Sequence, residues 1–496
     1  MEYANLLFDT IKKTLRHSLI YGLGTSFMAV VGVILIPLYT RFLSPSEYGV
    51  YSLIGVVFTL LIFVYDFGMI NALFRWVYQF DENQAAFRKR VVSTTLIFLI
   101  ILASILTFIL WKCASLISSL IFANTNYAPL IKLMLISIFL QSLTWVPLSL
   151  LRIEGKALIY TIILICGMVV MVITNFILLL AGSGVKGIYE SYIVASLFIM
   201  TPLFYITRHY YGINFSVKDL NGMLKFGLPL FPVLFFSWII DFSGRYFIGR
   251  YSTLQEVGLY SVGYKIGQIL YLAEKTFMIA WTPIMLSLSQ RYMEKAPQIF
   301  GKIFTYFIFL SLLIFLFVSV YSVEIVKLFT SPSYYGASSI VPLISLSYLL
   351  YGVYIYMLSG LIITKNISVQ PLILLGSAIA NVILNIALIP KFGMMGSAYA
   401  TISSYCIAAI ATYCISQKYY PLPIETWRIA KICTSTALIY FLSTSINFTN
   451  TGLCLASKTI LMAAFFYALY VIRFYQPAEI DRLKFVFTKR NFKDET

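Results

Sequence analysis

The chain reads as an all-α polytopic membrane protein of about fourteen transmembrane helices, two pseudo-symmetric six-helix bundles followed by two further helices. Three observations predict this. Of 496 residues, 60% are hydrophobic and only 11% charged, with a mean hydropathy of +0.88, a balance that no soluble domain carries. Apolar runs long enough to cross a hydrocarbon core of ~30 Å, which takes about 20 residues, recur along the whole chain. Finally, one segment occurs twice. Arg41-Phe42-Leu43-Ser44-Pro45-Ser46-Glu47-Tyr48-Gly49-Val50-Tyr51-Ser52 is matched by Arg250-Tyr251-Ser252-Thr253-Leu254-Gln255-Glu256-Val257-Gly258-Leu259-Tyr260-Ser261, with Arg, Glu, Gly, Tyr and Ser at a constant offset of 209.

The elements follow in order. The apolar run 17–40 is too long for a cleaved signal peptide and lacks a small-residue cleavage site, so it is read as the first span. The repeated segment joins it to the second, 48–73, and Arg88-Lys89-Arg90 precedes the third, 91–111. Runs 130–151, 157–181 and 186–207 complete the first six, and the polar, basic linker 208–225 closes the bundle 1–207. Runs 226–247, 256–286, 299–321, 337–363, 367–390 and 394–416 form the second bundle, 226–418, with the second copy of the segment joining its first two spans. The runs 427–446 and 452–474 have no counterpart, so 419–496 is read as two extra helices and a basic tail. Lys156 and Lys365 extend the repeat, as do Gly184-Val185-Lys186-Gly187 and Gly393-Met394-Met395-Gly396, each preceded by an asparagine, Asn175 or Asn385. Six spans per copy is an even number, so both copies insert the same way and are related by an axis along the membrane normal.

Orientation follows from the basic residues. With the N-terminus inside, 25 of the 36 Lys and Arg fall on the cytoplasmic side, which predicts both termini in the cytoplasm. The net charge of +17 is mostly this topology signal, together with attraction to anionic lipid, and does not call for nucleic acid as a partner. Six scattered cysteines without CxxC spacing read as small buried hydrophobes, and His17 and His209 as interfacial residues.

The chemistry is expected where charge enters the membrane. An ionisable group at mid-bilayer costs roughly 3 kcal/mol even on the lenient insertion scale. Asp66, Asp241, Arg245, Lys265, Glu274 and Lys275 all lie inside spans, and facing lipid together would cost on the order of 15–20 kcal/mol, beyond a folding margin of ~5–15 kcal/mol. They must therefore face water, each other or a charged ligand. Asp241 and Arg245 share a helix face at i,i+4, while Ser261, Lys265, Gln268 and Lys275 form one stripe of the eighth span, flanked by Tyr264 and Tyr271. Asp66 and Lys275 are repeat equivalents. The set predicts a cationic, water-filled cavity between the bundles, with Arg245, Lys265, Gln268, Lys275, Tyr264 and Tyr271 toward substrate. Asp66, Asp241 and Glu274 are expected as ion-coupling groups or as partners in structural ion pairs, Asp241 with Lys265 and Asp66 with Lys275. No phosphate-binding GxxxxGK[ST] loop, HExxH, GxSxG or metal-spaced cluster occurs, so neither enzyme activity, metal nor cofactor is expected.

The first span and loop, Gly22-Leu23-Gly24-Thr25 through Pro37-Leu38-Tyr39-Thr40 to Gly49, resemble the opening of bacterial polysaccharide-biosynthesis flippases of the multidrug/oligosaccharidyl-lipid/polysaccharide exporter superfamily. The repeated hinge and the Asn…GxxG turns resemble the same family. The resemblance implies transfer of an undecaprenyl-pyrophosphate-linked oligosaccharide, such as an O-antigen or capsule repeat unit, across the bacterial inner membrane by alternating access. It also implies a polysaccharide polymerase and chain-length proteins as partners. A cation-coupled multidrug exporter and a lipid II flippase of the same superfamily are the alternative readings.

Overall fold

The computed structural model describes residue 32 and residues 35–79, 85–445 and 451–475, all helical or turn-forming and without a strand. His17, Gly22–Thr25, most of the first predicted span and the basic tail beyond residue 475 lie outside the described residues. After a helix ending at Phe42 come α1 (Pro45–Asp66), α2 (Met69–Gln79), α3 (Ala85–Lys112), α4 (Ala114–Phe122), α5 (Ala128–Ile153), α6 (Ala157–Leu180) and α7 (Gly184–Thr207). Then follow α8 (Val217–Gly227), α9 (Phe231–Tyr251), α10 (Leu254–Gly267), α11 (Ile269–Arg291), α12 (Ala296–Val320) and α13 (Ser322–Phe329). The chain continues with α14 (Ile340–Ile363), α15 (Gln370–Phe392), α16 (Met394–Tyr419), α17 (Thr426–Thr444) and α18 (Thr451–Val471). Among the described residues, twelve helical stretches are long and apolar enough to cross a membrane. The protein is thus an all-helical, multi-pass membrane protein. The fourteen expected spans are approximate: α17, with 19 residues, falls short of the apolar criterion, and the first run is largely outside the described residues.

Two compact units divide the chain. The first contains the described residues up to Ile266 together with Lys327–Ile340 and Val369–Ile407. The second contains Gly267–Val326, Val341–Ser368 and the residues from Ala408 onward.

Both repeated motifs have structural work in the first unit. Ser44 and Glu47 form a capping box that starts α1, with Pro45 preset for the first turn. The two copies of the segment meet through their glycines. A β-carbon on Gly49 would lie 2.0 Å from the Leu254 carbonyl oxygen, and one on Gly258 would lie 2.0 Å from that of Pro45. Residues 45 and 254, like 49 and 258, are repeat equivalents, so this contact is reciprocal, as a local two-fold axis requires. The repeated glutamate serves the repeated turn: Glu256 accepts from the Met394 N–H at 2.9 Å, at the left-handed Gly393 that opens α16. Gly184, its equivalent, is also left-handed and has Glu47 as its neighbour. The Glu256 carboxylate at the α16 N-terminus satisfies an orphan donor and complements the dipole.

The long spans are broken where backbone approaches backbone. Span Pro45–Gln79 kinks at left-handed Phe67 and Gly68, where Gly68 packs against the backbone of Gly227. Span Leu254–Arg291 breaks between Gly267 and Ile269, so the expected continuous stripe is divided: Ser261 and Lys265 belong to α10 and Lys275 to α11. The reason is steric. A β-carbon at Gly267 would lie 2.8 Å from the Ile344 β-carbon, and Ser345 Oγ donates to the Gly267 carbonyl at 3.2 Å.

In the second unit, α12 packs on α11 and α17, and α17 on α18. Lys458 of α18 is buried and its Nζ reaches both Glu324 oxygens of α13 at 2.6 and 2.8 Å.

Candidate functional site

In the first unit, α9 and α10 bring Asp241, Arg245, Ser261, Tyr264 and Lys265 into one cluster. Arg245, 7% exposed, donates from a terminal guanidinium N–H to the Asp241 carbonyl oxygen at 3.0 Å and from Nε to Ser261 Oγ at 3.2 Å. Its guanidinium lies 4.3 Å from the Tyr264 ring centroid, 5.2 Å from Phe242 and 5.8 Å from Tyr260. The Asp241 carboxylate accepts from the hydroxyl of Tyr264 at 3.0 Å and from that of Tyr405 on α16. The shared face of Asp241 and Arg245 is therefore real, but the arginine engages the backbone of that turn and the carboxylate engages phenols.

Lys265 differs from its expected ion pair with Asp241. Its ammonium lies over Tyr48 and Tyr51, 5.7 and 5.6 Å from the ring centroids. Tyr51 and Tyr260 are equivalent positions of the repeated segment, and each lies beneath a cation, Tyr51 beneath Lys265 and Tyr260 beneath Arg245. The quadrupole of a ring attracts a cation by ~0.5–1 kcal/mol when exposed and by about 2 when desolvated. Tyr51 is itself positioned by its hydroxyl, 3.2 Å from that of Tyr192, and by its ring contact with Tyr39.

Asp66 caps a helix. It lies at the α1–α2 kink and accepts from the Ile70 N–H at 3.0 Å, which satisfies an orphan donor of α2. Its partner is thus a backbone amide. In the second unit, Lys275 is exposed and 5.7 Å from the Tyr271 ring, which packs on Tyr348 and Tyr351 at 5.2 and 5.4 Å. Glu274 points elsewhere and is 2% exposed. Gln268, half-buried, occupies the break between α10 and α11.

None of Arg245, Lys265 and Lys275 forms an ion pair among the described residues. Nor does any group of three His, Cys, Asp or Glu there have the arrangement of a metal site. Tyr48, Tyr51 and Tyr405 are site residues that spacing within the spans does not reveal. For Tyr51 a signal existed, since it is one of the five identities of the repeat. Tyr405 carries none, because only the packing of α16 brings it to Asp241.

The model of the family described as "Polysaccharide biosynthesis protein" matches residues 38–339, which include the repeated segment, both its copies, and the α9–α10 cluster. The chain belongs to the polysaccharide biosynthesis protein family. Solved structures show that this family member has the fold of lipid flippases and drug exporters. A lipid II flippase, MurJ, in an inward closed conformation has a TM-score of 0.73 at 16% identity, over 92% of this chain and 99% of that one. A multidrug resistance MATE family transporter of the MOP superfamily, inward-facing, has 0.67 at 16% identity, over 81% and 94%. The Vibrio cholerae MATE transporter VcmN in its bent form has 0.55 at 13% identity, over 82% and 96%. No curated protein matches the chain.

Proposed function

We propose that this member of the polysaccharide biosynthesis family is a flippase that carries an undecaprenyl-pyrophosphate-linked oligosaccharide from the inner to the outer leaflet of a bacterial cytoplasmic membrane. The observation that carries the reading is a set of three cations, Arg245, Lys265 and Lys275, held in membrane-spanning helices over tyrosine rings, with no carboxylate paired to any of them among the described residues. Cations kept unneutralised at membrane depth require water or an anionic ligand. A pyrophosphate supplies that anion, and its own passage through hydrocarbon as a bare ion would cost tens of kcal/mol. Guanidinium and ammonium groups replace the hydration it gives up, tyrosines offer ring faces and hydroxyls to sugars, and the isoprenoid tail remains in lipid. Transport is by alternating access of two six-helix bundles, 1–207 and 226–418, with both termini cytoplasmic.

An exporter of organic cations needs the reverse charge balance. Here Asp241 is engaged by two phenols and Asp66 by a backbone amide, which favours the anionic cargo. The test is replacement of Lys265 and Lys275 by alanine in the native host. Surface polysaccharide is expected to be lost while the protein remains at normal abundance in the membrane. Normal surface polysaccharide in that variant rejects the reading, and rescue of a strain lacking its lipid II flippase would assign the cargo to lipid II instead.

A further inference from the structure

The segment between α13 and α14 is fastened to the first copy of the repeated segment, and the fastening bears on Lys265. The capping box that starts α1 occupies two backbone donors: the Ser44 N–H donates to Glu47 Oε2 at 2.8 Å and the Glu47 N–H to Ser44 Oγ at 3.3 Å. In a continuous helix those N–H groups would return to the carbonyls of Thr40 and Leu43, four residues earlier, so both carbonyls need donors from elsewhere. Ser331 Oγ donates to the Thr40 carbonyl oxygen at 2.7 Å, and the Tyr334 hydroxyl donates to that of Leu43 at 2.9 Å. Donors three residues apart thus meet acceptors three residues apart. The same segment, a 3₁₀ turn over Pro332–Ser339, also lies against α10. A β-carbon at Gly263, two residues before Lys265, would stand 2.6 Å from the Ala337 carbonyl oxygen.

Tyr334 is fully buried, and its ring meets that of Tyr48 edge-on, with 5.9 Å between centroids at 77°. Tyr48 has no other anchor of its own. Its hydroxyl is buried without a hydrogen-bond partner among the described residues, whereas that of Tyr51 is 3.2 Å from the Tyr192 hydroxyl. The orientation of the Tyr48 ring therefore rests on packing, in which Tyr39, Tyr51 and Tyr334 supply the ring contacts.

We propose that Tyr334 is a positioning residue of the cation site: tied to the Leu43 carbonyl and packed on Tyr48, it seats the ring over which the Lys265 ammonium lies and so strengthens the hold of that ammonium on the cargo pyrophosphate. The effect on cargo, though not the seating of Tyr48, rests on the flippase reading. A cation is attracted to the face of an aromatic ring, where the quadrupole is negative, and not to its edge. A Tyr48 ring free to turn would present its edge to Lys265 and release the ammonium to other rotamers. Ordering it again would then count against binding.

Two measurements on the full-length protein in lipid nanodiscs test this. The first is the affinity for undecaprenyl pyrophosphate of wild type, Tyr334→Phe and Tyr334→Leu, with the same two changes repeated in Lys265→Met. Phenylalanine keeps the ring and removes the hydroxyl, which should weaken binding about fivefold. Leucine removes the ring contact as well and should weaken it further. In Lys265→Met neither change should matter, because no ammonium is left to position. Equal losses in both backgrounds, or a folded Tyr334→Leu with wild-type affinity, overturn the proposal. The second measurement needs no cargo: fluorine NMR of a fluorotyrosine at position 48. Its resonance should shift in Lys265→Met, which removes the cation, and in Tyr334→Phe, which loosens the ring. A resonance that Tyr334→Phe leaves in place overturns the seating of Tyr48. Wild type that binds no undecaprenyl pyrophosphate, while the resonance responds as expected, rejects the flippase reading and leaves the seating intact.

Discussion

Arg245 carries its charge on two neutral acceptors, a backbone carbonyl and a serine hydroxyl, with an aromatic face beneath the guanidinium. Lysine retains the charge but lacks both the fork and the plane, so Arg245→Lys is expected to lose ~1.5–3 kcal/mol, read as a lowered melting temperature in detergent. Asp241 allows a sharper contrast. Asp241→Asn keeps an oxygen for the Tyr264 and Tyr405 hydroxyls and should stay within about 1 kcal/mol of wild type. Asp241→Ala leaves two phenols without an acceptor, at ~1–3 kcal/mol each. If Asn proves as harmful as Ala, the charge of Asp241 rather than its acceptor role matters, and an ion-coupling function returns to it. Lys265 stabilises little by comparison, since its contacts are cation–π. Its loss should appear in transport rather than in the melting temperature.

Helices α1 and α10 approach through glycines that tolerate no side chain. Gly49→Ala and Gly258→Ala each place a methyl 2.0 Å from a carbonyl oxygen of the other copy, and each is expected to cost ~1–3 kcal/mol or more through overpacking. Because the contact is reciprocal, the two variants should be similar in effect and less than additive when combined. Gly55 and Gly376, in α1 and α15 with open space around them, supply the control: alanine there should stabilise by ~0.5–1 kcal/mol. The ion pair joining α13 to α18 responds differently. Glu324→Gln strands the buried Lys458 and is expected to cost ~3–5 kcal/mol, whereas replacing both residues with leucine should recover most of it. A double-mutant cycle on purified protein measures the difference.

A flippase that acts from the inner to the outer leaflet needs one fixed orientation in the membrane, and the proposed topology puts the 208–225 linker in the cytoplasm. In a variant lacking the six native cysteines, a single cysteine at the exposed Ile213 should react with an impermeant maleimide only after permeabilisation. One at the exposed Ser333, on the loop before α14, should react in intact cells. The reverse pattern would invert the proposed topology. The span limits were largely legible, as with 157–181 against the observed Ala157–Leu180, because apolar length is a property of the local chain. The site was legible in part. Arg245 and Lys265 stood out by their cost in hydrocarbon, whereas Tyr51, although one of the five identities of the repeat, was not among the expected site residues. Tyr405 and the break at Gly267 did not stand out, since each depends on a helix more than seventy residues away in sequence.

Composition and duplication, taken alone, determined that this is a helical membrane protein built on a repeated unit, because hydrocarbon admits only backbone that bonds within itself and a repeat is visible wherever identities recur at one offset. The partners of the intramembrane charges were decided only by tertiary structure. Asp66 became a helix cap, Asp241 an acceptor for phenols, Lys265 a cation over tyrosines and Glu274 a carboxyl group against a glycine. The physical reason is that desolvation obliges a charge to find compensation without specifying its source, and that source is whichever backbone amide, ring or hydroxyl the packing of distant helices delivers.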